Sequence, residues 1–150
     1  MDLSTPFEIS ASGLQAQRLR MNIISSNLAN IQSTHTAEGG PYRRKEVIFT
    51  STPLHETSFG AALNQATGRL QRVQVTEVIE DTRTPQLVYN PGHPDANTQG
   101  FVALPNINLM EEMVNLMTAT RSYEANVTVL DAAKNMALKA LEIGQLESIP

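Results

Sequence analysis

The end of the sequence carries an apolar repeat that a helix can accommodate only when another surface covers it. One line of residues recurs at intervals of seven: Leu109, Leu116, Tyr123, Leu130 and Ala137. Such spacing is typical of coiled-coil helices, whose buried stripe faces a second helix. A companion line, four residues on from these positions, has Met113, Val127 and Leu141 as its apolar members. The spacing predicts a helix from about Asn108 to Gly144, with Gly144 as its C-terminal cap.

The start of the chain, to about Asn30, repeats this heptad pattern in a weaker form. Its line consists of Phe7, Leu14, Met21 and Leu28. We expect the two terminal helices to pack on each other as an antiparallel or offset pair. Two helices alone bury too little apolar surface to be stable without a partner. Apolar positions left over by the pattern are therefore expected to face other chains; they are Ile23, Ile24, Met110, Met117 and Met136.

The middle of the chain loses the helical period and gains turn residues. Four short runs have β-like composition, and six of the eight prolines lie between Ile31 and Asn106. The predicted fold class is α+β: N- and C-terminal helices form a coiled-coil-like pair, with a small, loop-rich β insertion between them. The predicted domains are a helical one, residues 1–31 plus 107–150, and a small β-containing one, residues 32–106.

The composition argues against several classes of function. Eleven basic and fifteen acidic residues give a net charge of -4, which is not the footprint of a protein that binds nucleic acid or an anionic membrane. There is no cysteine, so disulfides and thiolate metal sites are excluded. Asp2 and Glu8 precede the first basic residue, Arg18, so the N-terminus does not match a Sec signal peptide. No apolar run approaches the ~18 residues of a membrane-spanning helix.

No set of residues matches a known catalytic or cofactor-binding motif. Glu111 and Glu112 stand at the predicted helix start, where we interpret them as complementing the helix dipole. His93 and Asp95 could supply two metal ligands, but no third ligand follows at a suitable spacing. A turn in which Asp95 caps its own backbone is the preferred interpretation. We therefore expect no catalytic residue, no metal or other cofactor and no small-molecule substrate.

The stretch "SSNLANIQST", Ser25 to Thr34, closes the first helix with polar residues. Asparagine side chains hydrogen-bond nearby backbone and can turn the chain out of a helix. An ordinary helix end is one interpretation of this stretch. The other is that Asn27 and Asn30 provide hydrogen-bonding groups between subunits.

Several stretches of the chain resemble the flagellar basal-body rod family. "SSNLANIQST" is similar to the N-terminal signature of that family. Three further stretches resemble a proximal-rod member of it: Gly39 to Phe49, Tyr89 to Val127 and Leu141 to Gln145. Departures from the family pattern are minor, at Ile31-Gln32 and at Phe101. The stretch from His55 to Arg69 has no counterpart, and no role is assigned to it.

The resemblance implies a structural subunit of the periplasmic rod of the flagellar basal body, which transmits torque from the motor to the hook. It implies export through the flagellar type III apparatus, an inner layer of terminal helices and an outer β-containing region. The implied partners are other flagellar rod proteins, copies of the same chain, the adaptor between basal body and export gate at the rod base, and the export apparatus. Eleven residues are assigned to the assembly interface: Leu14, Met21, Asn27, Leu28, Asn30, Met113, Leu116, Tyr123, Val127, Leu130 and Leu141.

Two other functions are compatible with parts of the pattern. One is a coiled-coil binding module, for instance a homodimer that presents its β insertion to a partner. Such a module closes into a small oligomer, whereas a rod subunit makes heterologous contacts that do not close. The other is a metal-assisted hydrolase that uses His93, Asp95 and another histidine, which metal analysis of the purified protein would detect.

Overall fold

The chain folds into two helices at its ends and two small strand pairs between them. The computed structural model describes residues 4–53 and 71–146; the stretch from His55 to Arg69 lies outside them. The elements, in chain order, are α1 (Ser4–Ala29), β1 (Lys45–Pro53), β2 (Gln71–Glu80), β3 (Gln86–Tyr89), β4 (Phe101–Leu104) and α2 (Leu109–Leu146). The predicted α+β class, with terminal helices around a small β region, is confirmed. Neither described helix is long and apolar enough to cross a membrane.

The strands form two separate pairs, β1 with β2 and β3 with β4. In the second pair the strands are antiparallel, and Tyr89 lies opposite Phe101. Side chains alternate between the faces of a strand, so Val102 points inward and is buried while Tyr89 and Phe101 point outward. Their rings meet edge to face, with centroids 5.4 Å apart. In this pair of strands only Val102 is buried, while β3 is exposed along its whole length and carries an apolar surface.

Polar side chains define two of the helix ends. Asn108 precedes α2, and its Oδ1 accepts hydrogen bonds from the backbone N–H groups of Met110 (3.0 Å) and Glu111 (3.4 Å), as an N-cap does. At the end of α1, Asn30 donates from its Nδ2 to the Ser26 carbonyl over 2.9 Å. The prediction that Gly144 caps α2 was wrong. The helix continues through Gly144 to Leu146, and positive φ angles occur among the described glycines only at residues 39, 40 and 100.

The chain forms two compact units, and α1, α2, β1 and β2 each contribute to both. The described part of the first unit comprises α1 up to Arg18, the strand residues between Phe49 and Val75, and α2 from Thr120 onward. The second unit comprises Leu19–Ile48 and Thr76–Ala119. Both units contain parts of the helices and of the strands. The division into an inner helical and an outer β-containing domain stays a prediction.

Within the first unit, α1 contacts both α2 and β2. A Cβ atom built on Gly13 would lie 2.9 Å from Nδ2 of Asn126, so this glycine allows a close approach of the helices. Ser12 accepts a hydrogen bond at its Oγ from the backbone N–H of Val73, over 3.1 Å. In the second unit, Asn27 of α1 contacts Glu112 of α2.

The buried stripe of each helix differs from the stripe that the spacing of the large apolar residues predicted. Along α1 the buried positions are Ser10, Gly13, Ala16, Ile24 and Asn27, and along α2 they are Glu112, Ala119 and Ala133. The predicted line from Leu116 to Ala137 is half-buried beside this stripe, but its companion line (Met113, Val127 and Leu141) is exposed. Small residues let helix backbones approach, so they occupy the contact and displace the large side chains to its edges. The placement of Ile24 among the outward positions was also wrong, because it is buried within its own chain.

Candidate functional site: a buried polar junction and an exposed apolar face

Asn27 is the centre of a buried hydrogen-bond network in the second unit. Its side chain has no exposed surface (0%), and each of its hydrogen-bonding positions is used. The amide nitrogen donates to the backbone carbonyl of Lys45 (2.8 Å) and to Oε2 of Glu112 (3.1 Å). The amide oxygen accepts from the backbone N–H of Lys45 (2.9 Å) and the hydroxyl of Tyr42 (3.1 Å). Burial of this polar group is therefore fully compensated.

The two bonds to Lys45 connect the end of α1 with the first residue of β1. The Asn27 amide pairs with both the N–H and the C=O of Lys45, as a neighbouring strand would. Lys45 would otherwise begin its strand with two unpaired backbone groups on that side. The asparagine thus fixes where β1 starts relative to α1, although the two residues lie eighteen positions apart.

Glu112 brings the start of α2 into the same network. Its side chain is 1% exposed, and its Oε1 accepts a hydrogen bond from Nε of Arg44 over 2.7 Å. Burial alone would lower the pKa of the Arg44 guanidinium. The hydrogen bonds and charges of Glu112, followed by those of Glu46, outweigh that effect and raise the pKa above its usual value. A buried carboxylate is thereby matched by a cation and by an amide donor.

A short loop after α1 delivers Tyr42 and Arg44 to this network. Gly39 and Gly40 have φ angles of 88° and 78°, a backbone conformation that side chains with a Cβ disfavour. The turn they form returns the chain so that the Tyr42 N–H bonds the Ser33 carbonyl over 3.0 Å. We call the resulting set, Asn27, Tyr42, Arg44, Lys45 and Glu112, the polar junction.

The first turns of α2 also carry a group of exposed apolar side chains. We call them the apolar face; its members are Leu109, Met110, Met113, Val114 and Met117. Met110 is the most exposed, at 67%. Isolated apolar residues on a surface are common, but five within nine positions of one helix are typical of a surface that another protein covers. Methionine side chains adapt to differently shaped partners.

The structure separates the predicted interface residues into buried, half-buried and exposed ones. Asn27 is buried, and its hydrogen bonds are all within the chain. Asn30 bonds Ser26 and accepts from Ser33, which makes it a helix cap. Half-buried positions include Leu14, Met21, Leu28, Leu116, Tyr123 and Leu130. The exposed ones are Met113, Val127 and Leu141.

The polar junction contains residues that the sequence analysis missed, above all Glu112. Glu112 was interpreted only as a partner of the helix dipole, yet it is the most deeply buried charged residue among those described. A signal for this was present: Glu112, Ala119, Asn126 and Ala133 lie seven residues apart, on one line of α2. A carboxylate that lies on a buried line of small residues needs a buried partner, because an unpaired buried charge is costly.

The turn around His93 has a different hydrogen bond from the one predicted. The backbone N–H of Asp95 donates to Nδ1 of His93 over 3.1 Å, so the histidine, rather than the aspartate, caps the turn. The Asp95 carboxylate instead accepts from the Thr34 hydroxyl over 2.7 Å. Within residues 4–53 and 71–146 no three metal-binding side chains come together. His55 lies outside the described residues.

Family models for flagellar rod proteins match both ends of the chain. Residues 7–35 match the model "Flagella basal body rod protein", and residues 98–143 match "Flagellar basal body rod FlgEFG protein C-terminal". These regions include β4 and most of α1 and α2. The chain, whose terminal helix α2 carries the apolar face, is therefore a structural component of the flagellar basal body.

Relatives of nearly full length define the family more narrowly. The chain is 45% identical to the flagellar basal-body rod protein FlgC of Salmonella typhimurium, over 97% of this chain and 100% of that protein. It is 47% identical to the FlgC of Bacillus subtilis (91% and 95%) and 40% identical to that of Borreliella burgdorferi (97% and 99%). The chain belongs to the FlgC family of flagellar basal-body rod proteins. It is a structural rod subunit that associates with other basal-body rod components, and its family is not one of enzymes.

Proposed function

We propose that this subunit builds the proximal part of the periplasmic rod and there transmits torque from the motor to the hook. The observation that carries the proposal is the apolar face of α2, which is exposed in a chain whose relatives are rod proteins. A torque-bearing tube needs contacts that repeat without closing, and a long helix with an uncovered apolar surface suits such contacts. In this arrangement α1 and α2 form the inner layer, and residues 32–106 lie outside it.

The proposed partners are copies of the same chain, other rod proteins and the adaptor between basal body and export gate at the rod base. The predicted interface residues on α1 are Leu14, Met21 and Leu28, which retain part of their surface. Those on α2 are Met113, Leu116, Tyr123, Val127, Leu130 and Leu141. Asn27 and Asn30 contribute indirectly in this proposal, since they hold the helix ends from which these side chains project.

The proposal includes export through the flagellar type III apparatus. An N-terminus that does not match a Sec signal and a chain without cysteine both suit a protein that reaches the periplasm by that route. The apolar helix surface would be covered only at the growing rod. Part of the ordering of the chain is then coupled to binding.

The apolar face can be tested in a flagellated strain that lacks its own copy of the subunit. Met110→Lys combined with Met117→Lys places two charges in the proposed interface. We expect the variant to be exported, to be missing from isolated basal bodies and to leave the cells non-motile. The control adds the same charges at exposed strand positions, Gln74→Lys and Gln86→Lys, and should swim. Motile cells with the first variant would show that this face is not an assembly contact.

Sedimentation of the purified protein and analysis of isolated basal bodies distinguish a rod subunit from a closed binding module. A homodimer that presents its β insertion would sediment as a discrete species at every concentration. A rod subunit should instead be recovered in basal bodies together with other rod proteins. A closed dimer absent from basal bodies would contradict the proposed function.

A further inference from the structure

The polar junction does more than satisfy its own buried groups, because it distinguishes one alignment of the two helices from its neighbours. Within the second unit the alignment is defined by the contact of Asn27 with Glu112, and within the first unit by the contact of Gly13 with Asn126. A slip of α2 by seven residues would return a similar surface to α1, since helices repeat their facing positions at that interval. The observed alignment must therefore be selected by steric fit, by hydrogen bonding or by both.

Small residues on α2 make the slipped alignments sterically acceptable. Ala119 and Ala133 lie seven residues on either side of Asn126, and both are buried on the same line. Either alanine is smaller than Asn126 and would leave room for α1 at Gly13. The half-buried line of Leu116, Tyr123 and Leu130 likewise repeats large side chains at the same interval. Packing of these residues gives little preference for one alignment.

Hydrogen bonding changes completely in a slipped alignment. A shift of seven residues would place either Ala119 or Pro105 opposite Asn27, depending on its direction, and neither side chain offers an acceptor for the Asn27 amide. The Glu112 carboxylate would lose the amide donor and the guanidinium of Arg44. Buried polar groups without partners are costly, and single buried polar residues can set the alignment of paired helices.

We infer that Asn27, Glu112 and Arg44 are positioning residues that select the alignment of α1 on α2, and so determine which α2 side chains face the partner subunits. Asn27 and Glu112 select the alignment directly, and Arg44 keeps the Glu112 carboxylate in place. The inference rests on the proposed function only where it concerns partners, because the alignment itself is a property of one chain.

Engineered disulfides can report the alignment, since the chain has no cysteine of its own. Gly13→Cys is combined with Asn126→Cys for the observed alignment. For the two slipped alignments it is combined with Ala119→Cys or Ala133→Cys, each together with Asn126→Ala, because a Cβ at Gly13 would otherwise lie 2.9 Å from the Asn126 side chain. Seven helical residues span about 10.5 Å, which is too far for one cysteine to form more than one of these bonds. Each pair is oxidised in whole cells, which contain both assembled and unassembled subunit, and the internal disulfide is detected by electrophoretic mobility.

In the otherwise native chain, the disulfide to Asn126→Cys should form and the other two should not. Replacing Asn27→Leu and Glu112→Leu together removes the polar pair but keeps apolar volume. We expect the disulfide to Asn126→Cys to fall several-fold and at least one slipped disulfide to appear. Glu112→Gln keeps an oxygen acceptor for Asn27 and should retain the native pattern. Lys139→Ala with Glu142→Ala removes an exposed polar pair and serves as the control.

Each other outcome decides against the inference. An unchanged pattern in the double leucine variant would show that the alignment does not depend on the polar pair. Loss of all three disulfides in that variant would make the junction a requirement for helix pairing rather than for its alignment. A scrambled pattern in the otherwise native chain would remove the basis of the inference. Absence of the native subunit from basal bodies would instead contradict the proposed function.

Discussion

A single asparagine joins three distant parts of this chain. Asn27 lies at the end of α1, bonds the backbone of Lys45 and bonds Glu112 at the start of α2. An amide is suited to this position because it offers two donors and two acceptor sites in one plane. No other uncharged side chain except glutamine has the same set, and glutamine is longer by one methylene. The identity of this residue therefore matters more than its polarity.

Replacing the two asparagines at this helix end should have different consequences. Asn27→Leu leaves the Glu112 carboxylate and the Lys45 backbone without their partner, and each unpaired buried group costs about 1–3 kcal/mol. Asn30→Leu removes a cap from a half-buried position, which costs about 1 kcal/mol. We expect Asn27→Leu to abolish swimming in soft agar and Asn30→Leu to reduce it. Equal motility of both strains would contradict the role assigned to Asn27.

At the scale of the element, both helices use small residues where they approach each other and large apolar residues at the edges. Gly13 weakens α1 as an isolated helix by about 1 kcal/mol relative to alanine. That cost is offset by the close contact with Asn126. The exposed companion line of α2 is then free for contacts outside the chain. For this reason the heptad pattern of large apolar residues does not coincide with the residues through which α1 and α2 contact each other.

The close approach at Gly13 can be tested against a second helical glycine. A Cβ at Gly13 already lies 2.9 Å from Asn126, so Gly13→Leu should force the helices apart. A Cβ at Gly144 meets no atom within 4 Å, so Gly144→Leu should be accommodated by the chain. We expect only the Gly13→Leu strain to lack subunit in its basal bodies, as measured by immunoblot. Recovery of both variants at the native level would show that the contact is not needed.

The half-buried line of α2 is tested by Leu130→Asp. Removal of a large apolar side chain from a packed position costs roughly 2–5 kcal/mol, and an uncompensated charge adds to that cost. We expect non-motile cells that still export the subunit, measured in the culture medium and in isolated basal bodies. Lys139→Gln breaks only an exposed pair with Glu142 and should leave motility unchanged, since such pairs contribute little. Motile Leu130→Asp cells would place this line away from any packed surface.

For the molecule as a whole, the balance of buried and exposed apolar residues is unfavourable to a stable monomer. Among the described residues six apolar side chains are buried, and three of them are alanines. Nineteen large apolar side chains are exposed, eleven of them on α2. Burial of apolar surface is the main favourable contribution to folding, so much of it remains to be gained on assembly.

The isolated chain should accordingly be less helical than the folded subunit. The helices contain 26 and 38 residues, which would give a strong far-ultraviolet circular dichroism signal if both were formed. We expect the purified monomer to show markedly less helix and no sharp thermal transition, because isolated helices without a covered face are marginal in water. A fully helical monomer that melts cooperatively would show that the chain does not depend on its partners.

Local patterns in the sequence determined the number, type and order of the elements. Heptad spacing predicted both terminal helices, turn residues delimited four β-like runs, and the quoted motifs predicted the family. These features depend on neighbours along the chain, which the sequence presents directly. The polar junction was decided by tertiary structure, because Asn27 and Glu112 are 85 residues apart. Their bond depends on how the end of α1 and the start of α2 pack in the second unit, and the spacing of large apolar residues along the chain does not reveal that packing.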